Sequence, residues 1–184
     1  MSRMEDLDTL TTDGVSGSWR WATVLAVHPA LITGVIIGVF LFGLSTTATR
    51  AFGLPKFIPL LPGGLMLLFL GLAHLYTPVY VAGFVLNRRR VRTTDATWAP
   101  LRLVLLGAGA QIVYFVVPII QAYGGKTFEE LVFGSVEIAA LLCTGVVTVR
   151  YLAVLDNNFP GAPALVSLWS GAWYRVAQAR RFFT

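Results

Sequence analysis

The sequence is poor in charge, cysteine and lysine. Only 12% of its 184 residues are charged, about half of the ~25% usual in soluble domains. Cys143 is the only cysteine, which excludes an internal disulfide and a cysteine-rich metal site. Lys56 and Lys126 are the only lysines, and both lie outside the predicted membrane spans. A retinal Schiff base, which needs a buried lysine, is therefore excluded.

The sequence also lacks the short motifs that mark common enzymes. It contains no HExxH metalloprotease pair, GxSxG elbow, phosphate-binding P-loop or Gly-rich dinucleotide turn. No spacing places a nucleophile beside a base, so we do not expect an enzyme. The pI of about 9.8 does not require a nucleic-acid partner, because the basic residues lie where membrane topology requires them.

Long hydrophobic runs are abundant. Hydrophobic residues make up 56% of the chain, and four runs are long enough to cross a hydrocarbon core of ~30 Å. The predicted spans are residues 21–44, 63–86, 99–121 and 131–155. Their short connections predict an all-α integral membrane protein, an up-down bundle of four transmembrane helices within residues 19–156. The polar, acidic residues 1–18 are predicted to be a disordered tail.

Basic residues are unevenly divided between the two sides of this bundle. One side carries Arg88, Arg89, Arg90 and Arg92 after the second span and Arg175, Arg180 and Arg181 near the C-terminus. The opposite loops carry only Arg50, Lys56 and Lys126. The positive-inside rule then predicts that both termini are cytoplasmic, in a prokaryotic cell membrane. The arginines would contact anionic lipid headgroups at the cytoplasmic face.

The C-terminal segment, residues 163–184, has its own pattern. Apolar residues recur at the spacing of one helix face, at Leu165, Leu168, Trp169, Ala172, Trp173 and Val176. Arginines follow this stripe. The pattern predicts an amphipathic interfacial helix on the inner leaflet. Such a helix either caps the bundle or docks a partner.

Four polar side chains lie inside the predicted spans: His28, His74, Gln111 and Glu137. Such residues usually face a bundle interior or a wet cavity. Glu137 is predicted nearest the outside, His74 near the middle and His28 nearest the inside. This grading suits an ion or proton path in a channel or transport component. The four helices of one chain hardly enclose such a path, so a homo-oligomer is expected. The small-residue pair Gly34 and Gly38 permits close helix contacts within or between chains.

Prolines accompany these polar residues in three spans, at positions Pro29, Pro78 and Pro118. A proline removes the hydrogen bond to the carbonyl four residues earlier. Pro78 is therefore predicted to free the carbonyl of His74, the residue that also carries the titratable ring. Pro29 and Pro118 would similarly free the backbone carbonyls of Leu25 and Tyr114.

Three alternatives remain open at this stage. In the first, the polar residues form only interhelical hydrogen bonds, worth ~0.6–2 kcal/mol each. In the second, the protein is a non-catalytic subunit or scaffold of a larger membrane complex. Lastly, His28 and His74 are the axial ligands of a b-type haem, although their predicted depths differ by roughly 8 Å. The path interpretation requires no cofactor and no metal.

Overall fold

The computed structural model contains helices joined by short turns, and no strand, in the part of the chain that it describes. It describes the backbone of residues 2–92, 101–124, 127–159 and 161–181, and the side chains of residues 19–89, 101–120, 134–159 and 161–179. Six helices occupy these ranges: α1 (Ser2–Phe52), α2 (Leu60–Leu75), α3 (Thr77–Arg92), α4 (Leu101–Gly124), α5 (Thr127–Asn158) and α6 (Ala164–Arg181).

Three segments are long and apolar enough to cross a membrane singly, namely Trp19–Phe52, Leu101–Ile120 and Gly134–Asn158. Helices α2 and α3 meet at a bend of 47° and provide a fourth span if the pair is counted as one. The predicted all-α membrane class is therefore confirmed, with three or four candidate spans. The cytoplasmic placement of the termini stays a prediction.

Helix α1 is longer at both ends than its predicted span. Its backbone is helical from Ser2, whereas the sequence predicts a disordered tail there. Adding a residue to an existing helix gains a hydrogen bond without new nucleation. At the other end, α1 continues to Phe52, eight residues beyond the predicted limit of 44. The hydroxyls of Ser45 and Thr47 donate to carbonyls one turn earlier, at 3.0 and 2.9 Å, which explains how polar residues continue the helix.

The bend between α2 and α3 lies two residues before Pro78. The N–H of Tyr76 donates to the Leu72 carbonyl at 2.9 Å, and backbone N–H groups at this cap also donate to the carbonyl of His74. The prediction that Pro78 leaves the His74 carbonyl free is therefore wrong, because the bend supplies another donor. Pro29 and Pro118 lie inside the continuous helices α1 and α4.

Helices α1 and α2 approach closely at the small-residue pair. A Cβ atom added at Gly38 would lie 2.9 Å from the Cα of Met66, and one added at Gly34 would lie 2.7 Å from the Phe69 ring. Real Cβ contacts are essentially never that short. The pair therefore serves a contact within the chain.

Helix α6 packs against α1 and α5. Val166 and Ser170 are buried, and the Trp169 indole N–H donates to the Ala26 carbonyl at 2.9 Å. Two members of the predicted apolar stripe, Leu168 and Val176, are 61% and 66% exposed. Other members of the stripe, Leu165 and Trp169, pack against the core, so the stripe is divided between the bundle and the outer surface. Location at the inner leaflet stays a prediction.

The arginines predicted at the headgroups fall partly within the described side chains. Arg89 and Arg175 are exposed, and Arg88 is half-buried. The side chains of Arg90, Arg92, Arg180 and Arg181 lie outside the described residues. Their contact with anionic lipid stays a prediction.

Candidate functional site

The first polar cluster joins His74, Tyr114 and Glu137, which lie on α2, α4 and α5. The Tyr114 hydroxyl lies 2.8 Å from His74 Nδ1, and the two rings pack at a centroid distance of 4.2 Å. On the other side of the imidazole, Nε2 lies 3.7 Å from Oε1 of Glu137. His74 therefore bridges a phenol and a carboxyl group through its two ring nitrogens.

The Nδ1 atom of His74 has a partner in either protonation state. When it is bare, it accepts the Tyr114 O–H. When it is protonated, it donates to the Leu70 carbonyl, 3.1 Å away, or to the Tyr114 oxygen, since a phenol both donates and accepts. The Tyr114 O–H then turns to the same carbonyl, at 3.4 Å. This pocket accommodates the ring before and after it takes up a proton.

The cluster lies well inside the bundle but is not sealed. The His74 and Glu137 side chains are 24% and 19% exposed, whereas Tyr114 is fully buried. Glu137 lies six residues into the predicted span 131–155, which is roughly 9 Å at 1.5 Å per residue. A carboxyl group at such depth is costly unless it is paired or neutralised. His74 is the titratable group placed to do either.

The second polar cluster surrounds His28 and is buried. Its Nε2 lies 3.0 Å from the Thr144 hydroxyl, and its ring packs on Tyr80 at 4.1 Å. Tyr80 in turn contacts the Thr148 hydroxyl at 2.5 Å and donates to the Thr144 carbonyl at 3.3 Å. His28 is thereby fixed between α1, α3 and α5.

Gln111 extends this inner cluster to α4. Its side-chain N–H donates to the Thr77 hydroxyl at 2.8 Å. Its oxygen and the Nδ1 of His28 have no hydrogen-bond partner among the described residues, although the two side chains interact. Both residues are fully buried.

The four predicted polar residues are therefore divided between two places. His74 and Glu137 form one pair, and His28 and Gln111 belong to another layer. Along α5, Thr144 is two turns from Glu137, which separates the layers by roughly 10 Å. The predicted grading of depths stays a prediction. The four residues form two distinct clusters.

Sequence reasoning missed the tyrosines and threonines that complete both clusters. Tyr114 follows Gln111 by three residues, so they share a face of α4. Thr144, Thr148 and Tyr151 share a face of α5 in the same way. A search for polar and aromatic residues at helical spacing would have found them.

The geometry gives the haem interpretation no support. His28 and His74 belong to different clusters. Nε2 of His28 contacts the Thr144 hydroxyl, and Nδ1 of His74 contacts the Tyr114 hydroxyl. Among the described side chains, no group of three metal-ligating residues occurs.

Comparisons with known proteins contribute no family assignment. No family model, curated protein or solved structure matches this chain.

Proposed function

We propose that this chain is a membrane transport component in which His74 and Glu137 form a proton-exchange site. The observation that supports it most is the two-sided environment of the His74 ring, with Glu137 facing Nε2 and both a phenol and a carbonyl near Nδ1. An imidazole has two ring nitrogens and can accept a proton at one and release it at the other. A carboxyl neighbour at membrane depth adds a second proton-carrying group.

The buried inner cluster favours a carrier over an open pore. His28, Gln111 and Thr144 are fully buried and fill the space between four helices. An ion moving inward from Glu137 would meet this packed layer. Passage through it requires a rearrangement, as in alternating access. The proposal includes a homo-oligomer only if a second copy of the chain is needed to complete the proton path across the membrane.

The experiment uses the full chain in liposomes that contain a pH-sensitive dye. We expect proton movement above that of empty liposomes when a potential is applied, and a large reduction in His74→Phe. Phenylalanine keeps the ring packing against Tyr114 but carries no proton. Flux that is absent from the wild-type protein, or unchanged in the correctly folded variant, would reject the proposal.

A further inference from the structure

Glu137 lines an apolar groove that opens at the membrane-facing surface of the bundle. The groove has a volume of about 440 Å³ and lies between α1 and α5, with α2 and α4 beneath it. Val35 and Leu141 on its inner wall are buried, whereas Ile36 and Ile138 at its rim are 51% and 61% exposed. A molecule dissolved in the lipid could therefore enter from the side.

The groove follows the gap between α1 and α5. Two turns along α5 from Glu137, the Ile32 side chain lies against the helix, because its Cδ1 would be 3.0 Å from a Cβ added at Gly145. Near Glu137, the two helices leave room between Val39 and Gly134. Glu137 lies on the α5 wall of that space.

The lining has one ionisable acid and no basic side chain. Besides Glu137, its only polar side chain is the Tyr114 phenol, and every other lining residue is apolar or glycine. An inorganic cation leaving water needs several oxygen ligands to replace its hydration. One carboxylate and one phenol are too few for that. The charge of a lipophilic organic cation is surrounded by apolar groups and is weakly hydrated. One carboxylate of opposite charge is therefore enough to bind it.

We infer that this groove binds a lipophilic monovalent organic cation, which pairs with the Glu137 carboxylate and displaces a proton from the site. The inference rests on the proposed proton exchange and adds its substrate class. The volume lies within the range of small-molecule sites, ≈300–1,000 Å³. Charge complementarity selects the cation, since nothing in the described lining would pair with an anion.

The exchange conserves charge. In the empty site, the carboxyl group of Glu137 holds a proton. When the cation binds, the O–H bond breaks, the proton leaves for bulk water, and the carboxylate pairs with the cation. The titratable groups facing Glu137 are His74 from α2 and Tyr114 from α4, while the α1 wall contributes only aliphatic side chains. His74 is the group placed to pass the departing proton on to water.

The test is calorimetric titration of the purified full chain in detergent with tetraphenylphosphonium, in two buffers of different ionisation enthalpy. Below neutral pH, we expect saturable binding with release of up to one proton per cation. Glu137→Gln should weaken binding by about tenfold or more. Asp156→Asn, which changes an acid at the far end of the same helix, should bind like the wild type. Tetraphenylborate, a similar anion, should not saturate the protein.

Equal binding of the cation and the anion would mean that the groove binds apolar molecules without regard to their charge. That result would overturn the inference. Absence of cation binding would do the same. If His74-dependent proton flux persists in that preparation, the proposed function stands and only the substrate class is wrong. Conversely, Glu137-dependent cation binding without flux supports the groove and rejects the transport role.

Discussion

His74 and Glu137 come from different helices and face each other inside the bundle, with Nε2 and Oε1 separated by 3.7 Å. This separation exceeds a hydrogen bond but allows an ion pair once the ring is protonated. Tyr114 contacts the opposite ring nitrogen, so the imidazole is anchored at Nδ1 and faces the Glu137 carboxyl group with Nε2. The pair is therefore the chemical centre of the account.

Tyr114→Phe tests the partner at Nδ1. The ring packing against His74 is retained, but the hydroxyl is lost, and the Leu70 carbonyl remains near Nδ1. We expect proton flux in liposomes to fall severalfold without vanishing. Tyr174→Phe is the matched control, since its hydroxyl bonds to the Ala153 carbonyl on the other side of the bundle. Equal flux in both variants would show that the phenol has no part in the exchange.

Tyr80→Phe separates the inner cluster from the exchange site. The change removes the hydroxyl that joins Thr148 to the Thr144 carbonyl. We expect a loss of about 1 kcal/mol in unfolding free energy, the usual net contribution of one hydrogen bond, with unchanged flux per folded molecule. Thermal unfolding in detergent and the liposome assay provide the two measurements. Unaltered stability with reduced flux would instead show that the Tyr80 hydroxyl itself takes part in proton transfer.

The close contact of α1 with α2 predicts opposite outcomes at two glycines. Gly38→Ala places a methyl group against the backbone of Met66, whereas nothing lies within 4 Å of a Cβ at Gly43. Overpacking of this kind costs typically 1–3 kcal/mol. We expect Gly38→Ala to lower the thermal midpoint and Gly43→Ala to leave it unchanged or slightly higher. Similar midpoints would show that α1 and α2 are not held together there.

Pro78→Ala should matter less than His74→Phe. The carbonyl of His74 already accepts a backbone N–H at the cap, and the Tyr76 hydroxyl ties the bend to the Val24 carbonyl at 2.7 Å. The bend should therefore survive without the proline, with flux close to that of the wild type. Equal losses in the two variants would show that a free carbonyl is functional after all.

The class of the fold was predictable because hydrophobic length is a strong signal for membrane spans. The end of α1 was not, since Ser45 and Thr47 look like loop residues until their hydroxyls bond back to the helix. The bend at Tyr76 was located through Pro78, but its hydrogen bonds were not. A proline indicates where a helix changes direction, but it does not indicate which donor replaces the backbone N–H that proline lacks.

The members of the candidate site were predicted better than their grouping. His74 and Glu137 stood out because ionisable residues are rare in apolar segments. Their pairing depends on the rotation of α2, α4 and α5 about their axes. Helices that are apolar on most sides leave that rotation undetermined in the sequence. For the same reason, the sequence does not show which residues of α6 face the bundle, which the Trp169 bond to the Ala26 carbonyl defines.

The most direct measurement compares proton flux of wild-type, Glu137→Gln and Asp156→Asn proteins in liposomes, after confirming equal incorporation and folding. Glutamine keeps the size of the side chain but cannot exchange a proton. The account predicts that Glu137→Gln reduces flux to the level of empty liposomes while Asp156→Asn remains active. Wild-type flux in a folded Glu137→Gln protein would contradict it.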